Sequence, residues 1–244
     1  MQNIKLILQY DGTLYHGFQI QPEVSTIQGM LQKTVCDLFN EEIKVYGCSR
    51  TDAGVHALRY CAGFNFNNPI PADKIALVMN NKLPSDIRVL SSELADDDFH
   101  PRFSTKSKTY QYTINTDSDA GVFTRCYEWQ LKKKLDIGLM KEAAEYIVGT
   151  HDFCSFMTAG SEMESTVRTV YSLEILDENP IVKIRINADG YLYNMVRIIT
   201  GTLVFVGLGK IRPGDVGEII EKKDRNFAGP TAPPQGLALY EIYY

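Results

Sequence analysis

The chain is short of nearly everything that marks a secreted, membrane-embedded or metal-centred protein. Its 244 residues hold five cysteines, Cys36, Cys48, Cys61, Cys126 and Cys154. The count is odd and no pair stands at metal-ligand or redox spacing, so reduced thiols in a cytoplasmic protein are expected. The four histidines are scattered, which argues against a zinc centre. No glycine-rich phosphate loop, internal repeat or low-complexity tract is found. The most apolar run, Ile198 to Leu208, is too short to span a bilayer. The residues from Met1 to Lys5 lack a signal-peptide pattern. Positive charge is scarce as well: 25 Lys and Arg against 30 Asp and Glu leave a net −5, which mildly disfavours a polyanionic partner.

What is present points elsewhere. A hydrophobic content of 44% suffices for a sizeable core, in one domain or two lobes. The few cations are concentrated. Residues 99–116 carry Arg102, Lys106 and Lys108 and no acid, and residues 179–212 carry Lys183, Arg185, Arg197, Lys210 and Arg212 against Asp189 alone. Acids collect in 91–98, at Glu93 and Asp96 to Asp98. Positive islands in an acidic chain suit a localised polyanion site, and ordinary scatter of surface charge gives the same pattern.

The chain is organised around Gly47-Cys48-Ser49-Arg50-Thr51-Asp52-Ala53-Gly54-Val55-His56-Ala57. A short alternating run, Ile43 to Tyr46, leads in. A longer one leads out, with Leu58, Tyr60, Ala62, Phe64 and Phe66 on one face, so the stretch is a loop between strands. Asp52 stands two residues from a guanidinium and two before a glycine. Held at a strand edge beside Arg50, it suits a nucleophile or general base. It equally suits a turn-capping role ahead of Gly54, and on this segment alone that role is the commoner one.

Ile4 to Tyr10 alternate as a strand that Asp11-Gly12 breaks. Thr26 caps a helix with a core stripe of Ile27, Met30, Leu31, Thr34, Val35 and Leu38. Pro69 to Asp73 start a second helix running to about Asn81, and Ile87 to Leu90 form a short strand. After Phe99-His100-Pro101-Arg102-Phe103-Ser104, Lys106 and Lys108 run into a strand whose Tyr110, Tyr112 and Ile114 share a face. Cations followed by rings suit nucleic acid, and core tyrosines on a half-buried strand fit equally. Lys132-Lys133-Lys134 is read as exposed surface, with contact to a distal part of an RNA as the alternative. Asp136 caps a helix with a stripe of Met140, Ala143, Ala144 and Ile147, and His151-Asp152 is read as a structural turn. Residues 158–165 form a small, polar loop. Val167, Thr169, Tyr171, Leu173 and Ile175 alternate in one strand, and Val182, Ile184 and Ile186 in the next. Asp189-Gly190 signals a hairpin turn, with Tyr191 to Asn194 returning. Met195 to Val206 is apolar on nearly every side, a central buried helix whose only charge is Arg197. A guanidinium entering a core needs an anion, since an unpaired buried charge costs roughly 3–5 kcal/mol. Asp52 is the natural partner, and emergence of Arg197 into solvent at the helix start is the alternative.

Arg50-Thr51-Asp52-Ala53-Gly54-Val55-His56-Ala57 resembles the signature octapeptide of the TruA family of tRNA pseudouridine synthases. Four further segments resemble the family in the same order: Tyr10 to Gln19, Lys106 to Tyr112, His151 to Phe156, and Gly229 to Leu237. Departures are Phe18 where tryptophan is usual, Ser49 where glycine is usual, and Lys106 and Lys108 where arginine is common, which keeps charge but loses bidentate geometry. The resemblance implies an α+β pseudouridine synthase fold, two lobes with mostly antiparallel mixed sheets flanked by helices and a central cleft. Residues 1–104 would form the lobe with the aspartate loop, and 105–244 the lobe with the arginine helix and closing motif. It implies isomerisation of uridine to pseudouridine in the anticodon stem-loop of tRNA, by a homodimer, with no cofactor and no metal. Asp52 would be the nucleophile, Arg197 would keep it ionised, Tyr110 would stack on the base, Arg50 would hold it out of the stack, Leu237 would pack against it, and Lys106 and Lys108 would meet phosphate. A non-catalytic RNA-binding protein of the same fold is the main rival. A carboxylate hydrolase ranks far lower, because no second acid lies in any of these motifs.

Overall fold

The computed structural model describes residues 1–67, 70–161 and 163–244; Pro69 of the expected helix start and Glu162 of the small polar loop lie outside them. In chain order the elements are β1 (Gln2–Tyr10), α1 (Ile27–Phe39), β2 (Tyr46–Gly47), β3 (His56–Phe66), α2 (Ala72–Asn80), β4 (Ile87–Leu94), β5 (Ser107–Asn115), β6 (Trp129–Gln130), α3 (Ile137–Glu145), β7 (Gly149–Asp152), β8 (Val167–Glu178), β9 (Ile181–Ala188), α4 (Met195–Gly207), α5 (Asp215–Lys222) and β10 (Leu237–Tyr243). They fall into two compact units, Met1–Lys106 with Ala238–Tyr244, and Ser107–Leu237. Both are α+β, with largely antiparallel pairing. Among the described residues no helix is long and apolar enough to cross a membrane.

In the first unit the strands run β4-β1-β3-β10, with β2 on β3. Alternation sends Ile4, Leu6, Leu8 and Tyr10 of β1 inward, and Phe64, Ala62 and Tyr60 of β3 face the first three across the ladder. The expected face of β3 fails at one residue, Leu58, which is 42% exposed. The pairing slips there, from Leu8 with Tyr60 to Tyr10 with Ala57. The extra residue in β3 turns Leu58 out and Ala57 in, as a bulge must on a surface of period two. The run from Ile43 also shortens. Ile43 and Val45 are buried, but only Tyr46 and Gly47 pair as a strand. Helix α1 starts where Thr26 accepts the amide of Gly29 at 3.3 Å, a cap worth about 1 kcal/mol. Its Ile27, Leu31 and Val35 are buried, and Phe39 packs on Phe66 of β3 with centroids 4.5 Å apart. Each such buried side chain contributes roughly 1.5–3 kcal/mol. The closing strand β10 runs parallel to the start of β3, Ala238 beside His56.

In the second unit the order is β5-β9-β8-β7, with β6 on β5. The β8–β9 hairpin turns at Asn179-Pro180. Asp189-Gly190 does not form the expected hairpin: the chain from Tyr191 to Asn194 is irregular and leads straight into α4. Tyr191 bridges instead, its hydroxyl at 2.7 Å from the carbonyls of both Lys108 and Ile186. The alternation in β8 breaks at a second bulge, between Val170 and Ser172, which leaves Val170 inside and Tyr171 54% exposed. The expectation for α4 holds. Every one of its residues is buried except Arg197 and Phe205.

Candidate active site

Asp52 stands on the loop between β2 and β3, half-buried, and the amide of Val55 donates to its carbonyl at 3.1 Å. Both ends of the loop are tied down. On the incoming side the amide of Cys48 donates to the carbonyl of Cys61 at 3.0 Å. The hydroxyl of Tyr60 donates to the carbonyl of Ser49 and accepts the amide of Ser49 at 3.3 Å. Phe18 stacks on the Tyr60 ring with centroids 4.4 Å apart, so the phenyl group that replaces the usual tryptophan still holds the ring carrying the loop.

The segment from Tyr10 to Phe18 forms the other wall. Thr51 is gripped on both sides: its carbonyl accepts the Phe18 amide at 3.1 Å, and its hydroxyl meets that of Tyr10 at 2.8 Å. The amide of Gly54 donates to Tyr15 at 3.3 Å. This approach needs Gly17. Its φ is +83°, and a Cβ there would overlap the Thr51 carbonyl oxygen and lie 3.2 Å from the carbonyl carbon of Asp52. Beyond the loop, His56 Nδ1 accepts the Gly12 amide at 3.0 Å and lies 3.2 Å from a carboxylate oxygen of Asp11. The backbone on either side of Asp52 is therefore placed by hydrogen bonds to residues dozens of positions away, the preorganisation that a nucleophile or base requires. Arg50, on the same loop, is exposed.

In the second unit the arrangement centres on Arg197. Its Nε donates to the Ala232 carbonyl at 2.7 Å and its Nη1 to the Asn194 side-chain oxygen at 2.6 Å, which together orient the guanidinium plane. Asn194 sits at φ +63° directly before α4 and donates its amide group to Thr158 at 2.8 Å. The closing segment is strapped along the helix: the Ala232 amide donates to the Arg197 carbonyl at 3.0 Å, and the Gly229 amide to the Thr202 hydroxyl at 2.9 Å. Farther on, Tyr112 donates to the Pro233 carbonyl at 2.7 Å. Burial pushes the Tyr112 phenol far up, and the nearby Arg197 charge opposes that only in part. Tyr112 therefore acts as a neutral donor.

Tyr110 lies two residues before Tyr112 on β5 and is 5% exposed, its ring edge-on to Tyr191 at 4.9 Å and 81°. Burial first, then Tyr110, push the Tyr191 phenol well above its ordinary range. Leu237, at the end of the closing segment, is buried. Lys108 is half-buried and Lys106 exposed; the Lys106 amide donates to the Tyr243 carbonyl at 2.8 Å. The first unit thus holds Arg50, Asp52 and Lys106, and the second holds Lys108, Tyr110, Arg197 and Leu237. Among the described residues no group of three or more His, Cys, Asp or Glu side chains gathers as a metal would need.

Sequence reasoning passed over Tyr60, Tyr191 and Asn194 as supports of the site. In the sequence Tyr60 shows only as one of the alternating residues on a face of β3, and it is buried as well. Asn194 left one usable signal, because asparagine directly before an apolar helix favours a left-handed backbone.

Comparison with known proteins adds to this geometry. A family model described as tRNA pseudouridine synthase matches residues 6–104 and 143–244. The chain is 47% identical over 244 residues to the tRNA pseudouridine synthase A of Thermoanaerobacter sp. (strain X514), covering 100% of both chains. It is 47% identical to that of Clostridium acetobutylicum and 44% to that of Acetivibrio thermocellus, again over 100% of both chains. Among solved structures, a chain of a Cbf5-Nop10-Gar1 complex matches with a TM-score of 0.37 at 12% identity, over 96% of this chain and 57% of that one.

Proposed function

The chain belongs to the tRNA pseudouridine synthase family, and from that premise we propose that it isomerises uridine to pseudouridine in the anticodon stem-loop of tRNA with Asp52 as the nucleophile. The bond from C1′ to N1 breaks and one from C1′ to C5 forms; C5 gives up its proton and N1 gains one. Substrate and product have the same atoms, so the reaction balances without a co-reactant. The observation that carries the proposal is the backbone cradle around Asp52, in which Thr51 and Gly54 are bonded to residues 10–18 and Ser49 to Tyr60. A loop that served only as a turn would not need fastening to two distant segments.

Arg197 keeps Asp52 ionised in this reading. Support comes from its being the one charge of an otherwise apolar helix and from the two acceptors that orient its guanidinium. Tyr110 stacks on the base and takes the C5 proton, Leu237 packs against the base, Arg50 holds it out of the stack, and Lys106 and Lys108 meet phosphate; the motif resemblance supports these roles. The same resemblance supports a cytoplasmic homodimer.

The test is incubation of unmodified tRNA transcripts with wild type, Asp52→Ala and Arg197→Met, followed by pseudouridine mapping. Wild type is expected to form product and Asp52→Ala none. Arg197→Met should fold and turn over on the order of 10²–10³ more slowly, the usual cost of one preorganised charge partner. Product from Asp52→Ala, or none from wild type on any tRNA, would overturn the proposal.

A further inference from the structure

Next to the aspartate loop, the first unit carries a row of rings between two cations. The ammonium of Lys44 lies over the Tyr46 ring, 5.4 Å from its centroid. Tyr46 meets His100 with centroids 5.4 Å apart, and His100 meets Phe103 at 4.5 Å and 34°. The guanidinium of Arg102 closes the row, 5.6 Å from the Phe103 centroid. Lys44 and Arg102 are exposed, and Phe103 is 76% exposed.

An exposed phenyl group on a loose loop would call for no explanation. This one is held in place. His100 Nδ1 accepts the amides of Arg102 at 3.1 Å and Phe103 at 3.4 Å, which leaves the proton of the neutral ring on Nε2. The amide of His100 donates to the Ser104 hydroxyl at 3.0 Å, that of Ser104 returns to the His100 carbonyl at 3.0 Å, and Thr105 donates to the Pro101 carbonyl at 2.7 Å. Pro101 rests on Gly63, the ladder partner of Tyr46. Burial, then the charge of Arg102, hold the His100 imidazole below its ordinary pKa, so at neutral pH it is an uncharged ring within the row. Tyr46 precedes Arg50 by four residues, a separation of at most about 14 Å even in fully extended chain.

We propose that this row is a stacking platform for an unpaired nucleobase of the RNA substrate, one flanking the target uridine in the loop, with Phe103 as the face the base covers and Lys44 and Arg102 holding the adjoining phosphates. Rings supply a surface that accepts any base, and cations at both ends track the backbone, the two components by which single-stranded nucleic acid is held. A protein partner would be served as well by an aliphatic patch; cations at both ends of a rigid ring row favour RNA. The inference rests on the function proposed above for its choice of RNA, and its test reads binding, so that it does not stand or fall with catalysis.

The experiment measures affinity for an anticodon stem-loop RNA by fluorescence anisotropy, for wild type, Phe103→Ala and Phe103→Trp. Each is measured on the intact RNA and on a set with one loop nucleotide at a time made abasic. Phe103→Ala should weaken binding of the intact RNA about 5- to 150-fold, the ~1–3 kcal/mol of one stacked base at ~1.4 kcal/mol per ten-fold. Phe103→Trp should bind like wild type. At one abasic position wild type should lose the same factor and Phe103→Ala nothing more. Equal affinity of Phe103→Ala and wild type for intact RNA, or full additivity of the two losses at every abasic position, would overturn the proposal. So would a change in self-association of Phe103→Ala with RNA affinity unchanged, which would assign the row to a protein contact. If wild type makes no pseudouridine yet the binding cycle closes as described, the platform stands and the isomerase reading falls.

Discussion

Replacing Gly201 with alanine tests how the closing segment is held to the arginine helix. In the middle of α4, alanine is the better helix former by about 1 kcal/mol, so on propensity alone the substitution stabilises. The structure predicts the opposite. A Cβ at Gly201 would lie 2.9 Å from the carbonyl carbon of Pro230 and would overlap its oxygen. Neither group can yield without cost, because one is mid-helix and the other belongs to a segment bonded on both sides of the clash. The segment must lift, and with it go the bonds from Gly229 to Thr202 and the two between Ala232 and Arg197. Three hydrogen bonds at roughly 1 kcal/mol each, with overpacking of ~1–3 kcal/mol, outweigh the propensity gain and leave a net loss of about 3–5 kcal/mol. For a chain of this length that is a fall in Tm of about 6–20 °C. Arg197 loses the acceptor that orients its Nε, so turnover on tRNA should fall even well below the new Tm. Calorimetry and single-turnover pseudouridine formation measure both effects. Gly121→Ala, where an added Cβ meets nothing within 4 Å, is the control. A Tm for Gly201→Ala equal to or above that of wild type would refute the argument.

Two further outcomes follow from the same contacts. Tyr60→Phe removes the hydroxyl that both donates to and accepts from Ser49; urea unfolding should show a loss of about 1–3 kcal/mol, and kcat should drop more than KM rises, because the aspartate loop loses its anchor. Asp152 accepts from Thr166 at 2.5 Å and pairs with Lys223 at 2.9 Å, and these partners, Thr166 first, hold its carboxyl below the ordinary 3.8. A depressed folded-state pKa stabilises above pH 3.8 and that stabilisation is lost as pH falls through the lowered value, so the Tm of Thr166→Val should approach that of wild type as the pH is taken below 3.8; a gap that stays constant across that range would contradict the assignment.

What the amino-acid sequence determined by itself was local or strongly periodic. Thr26 followed by a stripe at helical spacing specifies α1, alternation from Ile4 to Tyr10 specifies β1, and thirteen residues with one charge specify α4 as a buried helix, because each rests on the chain's own periodicity and on the cost of leaving apolar surface in water. The octapeptide around Asp52 was legible too, as a loop between strands. The errors share one origin. Leu58 and Tyr171 point outward because a single extra residue slips each ladder, and the partner strand, not the strand itself, decides where that slip is absorbed. Asp189-Gly190 has the composition of a hairpin turn, yet the hairpin forms at Asn179-Pro180, where β8 and β9 find their register. The supports of the site lay equally out of reach. That Phe18 stacks under Tyr60, that Ala232 holds Arg197 and that His100 meets Tyr46 are contacts between residues 35 to 54 positions apart. Such pairs carry no spacing signal, because only the closed fold brings their backbones within reach. Sequence therefore named the candidate groups, and tertiary structure decided how firmly each is held and what stands beside it.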